Sequence, residues 1–562
     1  MLARELTAVA VLLVSISVPA FGQNSPITPQ ANQAPIDIPR EEAASHRLGR
    51  QPILRARLDA RMAAELAMAG VTVKVVVSTD GLVTSAKAKP TIQEMDPPEE
   101  VPPGLLPQAE SLVRGTHYEP FERDGHAVWA SFEEDVQVLP LELRPERHVP
   151  FPEVKDWDSI IIKLTRTGCF GSCPSYEVEV HGDGTVRYEG RSYVAILGEH
   201  HCSVPEENVR ELAKLFRATD YYSLRDEYVA GMTDNPTYIS SIQIDGKSKT
   251  VKDYVGAMIG MPLEVSDLES SIDRITEVQR WTIGNAETAG CLKGENWNFK
   301  SEEAAKALVG LARYGNAGAV SDFVAAGTPL NGKDESGQTA LTAAARRGDV
   351  ETLRVLLGAG AAKQDSLGIG AAFAMASRSG KSEAMKLLLE AGAASASATD
   401  GRTLLMTAAA SGVPSIVEDV LKSHRVVNAQ DKNGRTALME SVSQYHYGHE
   451  SSEIDRAEVV RLLLQAGADP NITDEEGNTA LIDAAWDADA VLLLIRAGAN
   501  LNAQSKKGYT PLINCAEPEV ARVLLAHGAD PSIRDADGKT ALELARQYGM
   551  KEKEAVLSAK KH

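Results

Sequence analysis

The sequence predicts two small α+β domains followed by an all-α repeat solenoid. Three observations lead there. Period-two alternation broken by Asp-Gly turns recurs between residues 71 and 254, helical stretches accompany the hairpins, and a short glycine-threonine opening returns six times beyond residue 301. By length alone, 562 residues imply roughly three or four domains. The formal net charge of -20 leaves no basic surplus to displace counterions from a phosphate backbone, so a nucleic-acid partner is not expected.

The chain opens MLARELTAVAVLLVSISVPAFGQ, in which Arg4 supplies a basic start, Ala8 to Ala20 an apolar run, and Ala20-Phe21-Gly22 a small-x-small cleavage site. Residues 1–22 therefore read as a signal peptide, and the protein as periplasmic or secreted. A membrane anchor needs about 20 apolar residues, so an uncleaved anchor is the weaker alternative. Contact with a membrane is expected only through a partner. Residues 23–48 carry Pro26, Pro29, Pro35 and Pro39 in polar surroundings and read as a linker that cannot bury a core.

Residues 49–150 form the first domain. VTVKVVVSTDGLVTSAKA gives two strands around Asp80-Gly81, a proline-rich insertion covers 96–107, a helical stretch runs through Val113, and HYEPFERDGHAVWASFEEDVQVLP turns at Asp124-Gly125 into a long last strand. On Asp80, Gly81, Arg114, Tyr118, Pro120, Phe121, Gly125 and Phe132, this region resembles the C-terminal domain of the TonB energy transducers. The resemblance covers about one sixth of the chain and lacks the inner-membrane helix, so it implies a periplasmic binding or structural module, or a TonB-related envelope component, rather than an energy transducer.

Residues 155–285 form the second domain. SIIIKLTR reads as a strand, YEVEVHGDGTVRYEG and TYISSIQIDGKSKTVKDY as hairpins, Ser203 to Glu206 as a capping box opening a helix, and 263–281 as a second helix. TGCFGSCPSY lies here. With Arg166, Thr167, Cys169, Phe170, Gly171, Cys173, Pro174 and Tyr176, it resembles an uncharacterised bacterial family of exported proteins with the signature R-T-x-C-F-G-x-C-P-x-Y, which brings no activity with it.

Residues 301–562 carry the repeat. Openings start at Gly337, Gly401, Gly434, Gly477, Gly508 and Gly538, and units end in runs such as VLLGAGA or LLLQAGADPN. Glycine permits the entering turn, threonine caps the first helix, and small alanines let helices approach. The array resembles the ankyrin repeats. A weaker unit near Gly368 and a leading one at 302–333 bring the count to about eight, with the last truncated.

The family resemblance implies protein binding through the turn tips and the starts of the first helices. The residue after each opening glycine makes a column of Gln338, Arg402, Arg435, Asn478, Tyr509 and Lys539, and Arg346, Arg347 and Trp486 end first helices. Arginine, tyrosine and tryptophan are enriched in binding hot spots, and an exposed indole is unusual on an unoccupied face. Solvated surface is the plainer alternative for all of these.

An oxidising compartment favours disulfides. Of five cysteines, Cys515 takes a small-alanine position and reads as a buried thiol; the other four allow three pairings. Cys169 with Cys173 and Cys202 with Cys291 is favoured, because a three-residue loop can return the chain within the span of about 4.4–6.8 Å between Cα atoms. A metal or thiol-redox site at Cys169 and Cys173 is the rival, since C-x-x-x-C-P also resembles the loop of periplasmic copper chaperones and His200-His201 lie nearby. His446 and His449 read as a polar loop. No nucleotide loop, H-E-x-x-H or nucleophile elbow occurs, so neither enzyme nor cofactor is expected.

Overall fold

Alternate valines of one strand, Val71, Val73, Val75 and Val77, are fully buried and set the first sheet. The computed structural model describes residues 35–48, 51–56, 71–90, 104–123, 125–143, 145, 147–364, 366–393, 401–423, 426–443, 454–484 and 486–559. The expected signal peptide, most of the insertion, Asp124, His446 and His449 lie outside them. The chain divides into two compact units, residues 1–143 with 256–262 and residues 144–255 with 263–562.

In the first unit the strands are β1 (Ile36–Asp37), β2 (Arg47–Leu48), β3 (Ile53–Ala56), β4 (Val71–Val77), β5 (Val83–Pro90), β6 (His117–Tyr118), β7 (Phe121–Arg123), β8 (His126–Val128) and β9 (Ala130–Pro140). β4 pairs antiparallel with β5 and with β9, whose other edge carries β1 and then β3 in parallel. Gly81 makes the expected turn with φ 81°, and a Cβ there would sit 2.0 Å from the Tyr118 carbonyl. Helix α2 (Leu105–Arg114) lays Leu105, Ala109 and Val113 into the core.

The expected linker over 23–48 is corrected at its end. β1 adds to the free edge of β9, helix α1 (Arg40–His46) follows, and Ile38 and Ala43 enter the core at 6% and 1% exposure. Pro39 sits at the N-cap of α1, where a missing N–H costs nothing. The Arg40 guanidinium pairs with Asp135 at 3.0 Å and with Glu133.

The second unit begins with a seven-stranded sheet in the order β13-β12-β11-β10-β15-β16-β14. Its strands are β10 (Ile161–Arg166), β11 (Ser175–His181), β12 (Thr185–Ser192), β13 (Gly198–Ser203), β14 (Glu227–Val229), β15 (Tyr238–Ile244) and β16 (Lys247–Tyr254). All pairings are antiparallel except β14 on β16. Both expected hairpins are present. Helix α3 (Glu206–Ala218) starts from Pro205 with no side-chain cap, so the expected capping box is corrected: Ser203 is spent as the last residue of β13. The expected helix over 263–281 breaks at Glu277, with φ 54°, into α4 (Leu263–Ile275) and α5 (Gln279–Thr282). The break turns Trp281 inward, stacked on Tyr188 at 4.8 Å. Helix α6 (Thr288–Gly294) leads to the repeats.

Among the described residues eight helix pairs follow, repeats 1 to 8: Glu302–Tyr314 with Ala317–Ala325, Ala340–Arg347 with Val350–Gly358, Ser366–Arg378 with Ser382–Glu390, Leu404–Ser411 with Pro414–Ser423, Ala437–Ser441 with Arg456–Gln465, Ala480–Asp483 with Ala488–Arg496, Pro511–Asn514 with Pro518–Ala526, and Ala541–Gln547 with Lys551–Ser558. Thr339, Thr403, Thr436, Thr479, Thr510 and Thr540 each accept the N3 amide of their first helix, as the hydroxyl spacing predicts. The last unit was expected to be truncated. It has both helices, because Leu557 and the aliphatic stem of Lys553 are buried against the unit before.

Repeat 1 is joined to the sheet domain. Tyr314 Oη donates to the Tyr193 carbonyl and Asn316 Nδ2 to the Gly284 carbonyl, each at 2.6 Å. Gly310 lies against the Ala195 backbone, where a Cβ would come within 2.6 Å of the carbonyl oxygen.

Candidate functional site

In four of the units the opening turn is built by an aspartate, and in repeat 7 Ser505 Oγ takes that place by accepting the Tyr509 amide. Asp334, Asp431, Asp474 and Asp535 each accept through Oδ1 the amide of the residue four positions on, which is the column residue Gln338, Arg435, Asn478 or Lys539. These Asx contacts hold the backbone from which the column projects. Sequence reasoning named the column but missed the aspartates, whose signal is a D-x-x-G-x spacing visible in the text.

The side chains of the column divide into two groups. In the column Tyr509, Asn478, Gln338 and Lys539 are half-buried, and at the end of their first helix Arg346 and Arg347 are exposed. Arg402 and Arg435 are not free: both bind Glu440, and Arg435 Nη1 also reaches Asp483 of the next repeat at 3.0 Å and Asp474 at 3.5 Å. The two arginines thus form a charge ladder across repeats 4, 5 and 6. Burial raises the pKa of Asp483, and the Arg435 charge pulls against that rise. Trp486 is not the exposed indole expected from the sequence. Its ring is half-buried and Nε1–H donates to the Val442 carbonyl of the preceding repeat at 2.9 Å, so the indole bridges two units.

The TGCFGSCPSY loop joins β10 to β11. Cys169 and Cys173 are bonded, with Cα atoms 5.5 Å apart, as are Cys202 and Cys291, and Cys515 is a buried free thiol. Between the first pair, Phe170 is 90% exposed. Behind the loop Arg166 donates to Tyr176 Oη and pairs with Asp273, both at 3.1 Å, and also donates to Tyr238. Tyr176 Oη donates to Asp273 Oδ1 at 2.6 Å. Burial raises the pKa values of Tyr176 and Asp273. The arrangement clamps the base of the loop onto α4, so the signature's arginine and tyrosine serve its placement. Asp273, 107 residues away from Arg166 in sequence, was not among the predicted residues. Among the described residues no group of three or more His, Cys, Asp or Glu is placed to hold a metal.

A helix-pair solenoid with Thr-capped first helices and glycine exits defines a class of binding scaffold. Comparison with known proteins identifies it: residues 336–366, 372–474, 449–535 and 487–558 match models of ankyrin repeats. Residues 160–276 match a domain of unknown function, DUF6438. The chain is similar to neurogenic locus notch homolog protein 1 of Mus musculus, 30% identical over 199 residues, which is 34% of this chain and 7% of that protein. The same protein of Homo sapiens is 29% identical over 199 residues and that of Xenopus laevis 29% over 201, with the same coverage of each chain. The chain thus spans about 7% of the length of the curated relatives it matches. Ankyrin repeats imply protein–protein interaction.

Proposed function

We propose that the protein is an exported adaptor that binds a protein partner in the cell envelope through the turn tips and first-helix ends of its ankyrin array, and that it is not an enzyme. The observation that supports this most is the division of the column. Arg402, Arg435 and Trp486 hold neighbouring repeats together, whereas Arg346, Arg347 and Tyr509 are left outside that ladder. Arginine and tyrosine are residue types enriched in binding hot spots. The basic, apolar and small-residue sequence of the first 22 positions supports export. The order of hairpin, helix and long strand in the first unit supports a TonB-related envelope module.

The test is capture of the partner by crosslinking in intact cells, followed by Arg346→Ala with Tyr509→Ala in the full chain. Partner recovery should fall at least tenfold while thermal unfolding is unchanged. Undiminished recovery would remove this face from the reading, and recovery of the chain without its amino-terminal processing would remove export.

A further inference from the structure

Cys202 lies near the end of β13 and Cys291 in α6, so their bridge ties the outer strand of the sheet to the helix leading into repeat 1. Both cysteines are half-buried. They form part of the wall of an open cavity of about 700 Å³, together with His201, Glu277, Arg280, Glu287 and Glu295.

Arg280 is the informative residue. It comes from α5, is almost wholly buried, and aims Nη1 at both sulfurs, 2.7 Å from Cys202 Sγ and 2.9 Å from Cys291 Sγ. A neutral disulfide is a poor acceptor and gives little in return for desolvating a guanidinium. A thiolate is a strong acceptor, and an adjacent cation favours it. The placement therefore stabilises the reduced pair over the oxidised one, which makes a disulfide more oxidising. Among the described residues no guanidinium or ammonium donates to the sulfurs of Cys169 or Cys173.

The opposing charges around the site are accounted for. Glu277 is paired with Arg280 through Nη2, and Glu287 acts on Arg280 from across the cavity. Glu295 is taken by His200 Nδ1 at 3.0 Å and by the His201 amide. None of them takes Nη1 away from the sulfurs.

Nor is the covalent bond needed to hold the strand. β13 pairs with β12 from Thr185↔Ser203 through Gly190↔Gly198, and Glu295 just beyond α6 grips His200 and His201. Opening the bridge leaves these contacts in place.

We propose that Cys202–Cys291 is a thiol–disulfide exchange site that accepts two electrons from a dithiol. A thiolate of the dithiol attacks Cys291 Sγ, and the S–S electron pair leaves on Cys202 Sγ, the sulfur nearer to Arg280. The second thiol of the donor, having lost its proton to water, attacks its own mixed disulfide and releases Cys291. The donor leaves as a disulfide, and the two protons it gave up are taken by the cysteines to the extent that their pKa values allow.

The full chain, equilibrated in dithiothreitol redox buffers or with a thioredoxin as protein dithiol, is quenched by alkylation and the pairs are counted by peptide mass. Arg280→Gln should require at least tenfold more reduced over oxidised dithiol to open Cys202–Cys291, about 30 mV. Arg280→Lys should restore part of the shift, and the Cys169–Cys173 equilibrium should not move. Opening by dithiothreitol alone assigns the site to small dithiols, and opening by both extends it to proteins. Refusal of both, or an unchanged equilibrium in Arg280→Gln, overturns the proposal. Should that variant fail to fold, the alkylation rate of the reduced wild type against pH decides. A thiol pKa below the ordinary value of about 8.5 is expected, and one at or above it overturns the proposal.

Discussion

The Lys553 ammonium, carried by the last helix of the array, lies 3.1 Å from the Ile513 carbonyl oxygen of the preceding repeat and also donates to that of Cys515. The first helix of repeat 7, Pro511–Asn514, is one turn long, so its carbonyls run out of helical donors. A buried cation from repeat 8 supplies what the missing turn does not. Lys553→Met should leave both oxygens unsatisfied and cost about 2 kcal/mol. Because a solenoid couples only nearest neighbours, hydrogen exchange should accelerate in repeats 7 and 8 and stay unchanged in repeats 1 to 4. Uniform acceleration would refute a local role.

Arg435 is the second stabilising cation. Removing it leaves Asp483 and Asp474 without its charge in a buried setting and Glu440 with Arg402 alone, and breaking such a network costs about 3 kcal/mol or more. Arg435→Met should therefore loosen repeats 4 to 6 in hydrogen exchange, whereas Arg346→Ala on the exposed face should change stability by about 0.5 kcal/mol or less. Equal effects would mean that the ladder contributes nothing.

These two residues show where sequence reasoning stops. Each repeat was legible because its signals are local: Thr479 caps the helix three residues on, and Gly477, at φ 76°, turns the chain two residues before it. The ladder was not, since Arg402 meets Glu440 and Arg435 meets Asp483 across unit boundaries. Strand β13, GEHHCS, was missed for a different reason. It is the outermost strand, only His200 is buried, and an edge strand need not alternate. At the CFGSCP loop the disulfide was legible from spacing, but the Arg166–Asp273 clamp depends on how α4 crosses the sheet.

Glu269 makes the sheet domain sensitive to pH. Burial, then the neighbouring Asp253 carboxyl, pushes its pKa well above the carboxylate range, while Ser240 Oγ donates to Glu269 Oε1 at 3.4 Å. The folded state therefore keeps a proton that the unfolded state releases near pH 4.3. The stability this confers is complete below that pH and is lost as pH rises through the folded-state value. Glu269→Gln should flatten this dependence, giving a higher unfolding temperature than wild type at neutral pH and no advantage below about pH 4. Trp281 fluorescence follows the transition, and parallel pH profiles for the two proteins would exclude a buried neutral Glu269.

Gly310 tests the joint between the sheet domain and repeat 1. In an isolated helix, Gly→Ala gains about 1 kcal/mol. Here the new Cβ would lie 2.6 Å from the Ala195 carbonyl oxygen and 2.8 Å from its Cα, backbone atoms that have no rotamer to escape into. Overpacking of this kind costs about 1–3 kcal/mol, so the clash should prevail over the propensity gain. Gly318, four residues beyond Tyr314, is the control: the nearest atom to its Cβ is Asn316 Oδ1 at 3.6 Å, and Gly318→Ala should stabilise. Gly310→Ala should push the first helix of repeat 1 away from residues 193–196 and weaken the Tyr314–Tyr193 hydrogen bond. Limited proteolysis between residues 283 and 301 should quicken in Gly310→Ala and slow in Gly318→Ala. If both variants resist cleavage equally, the sheet domain and the array are joined by the chain alone.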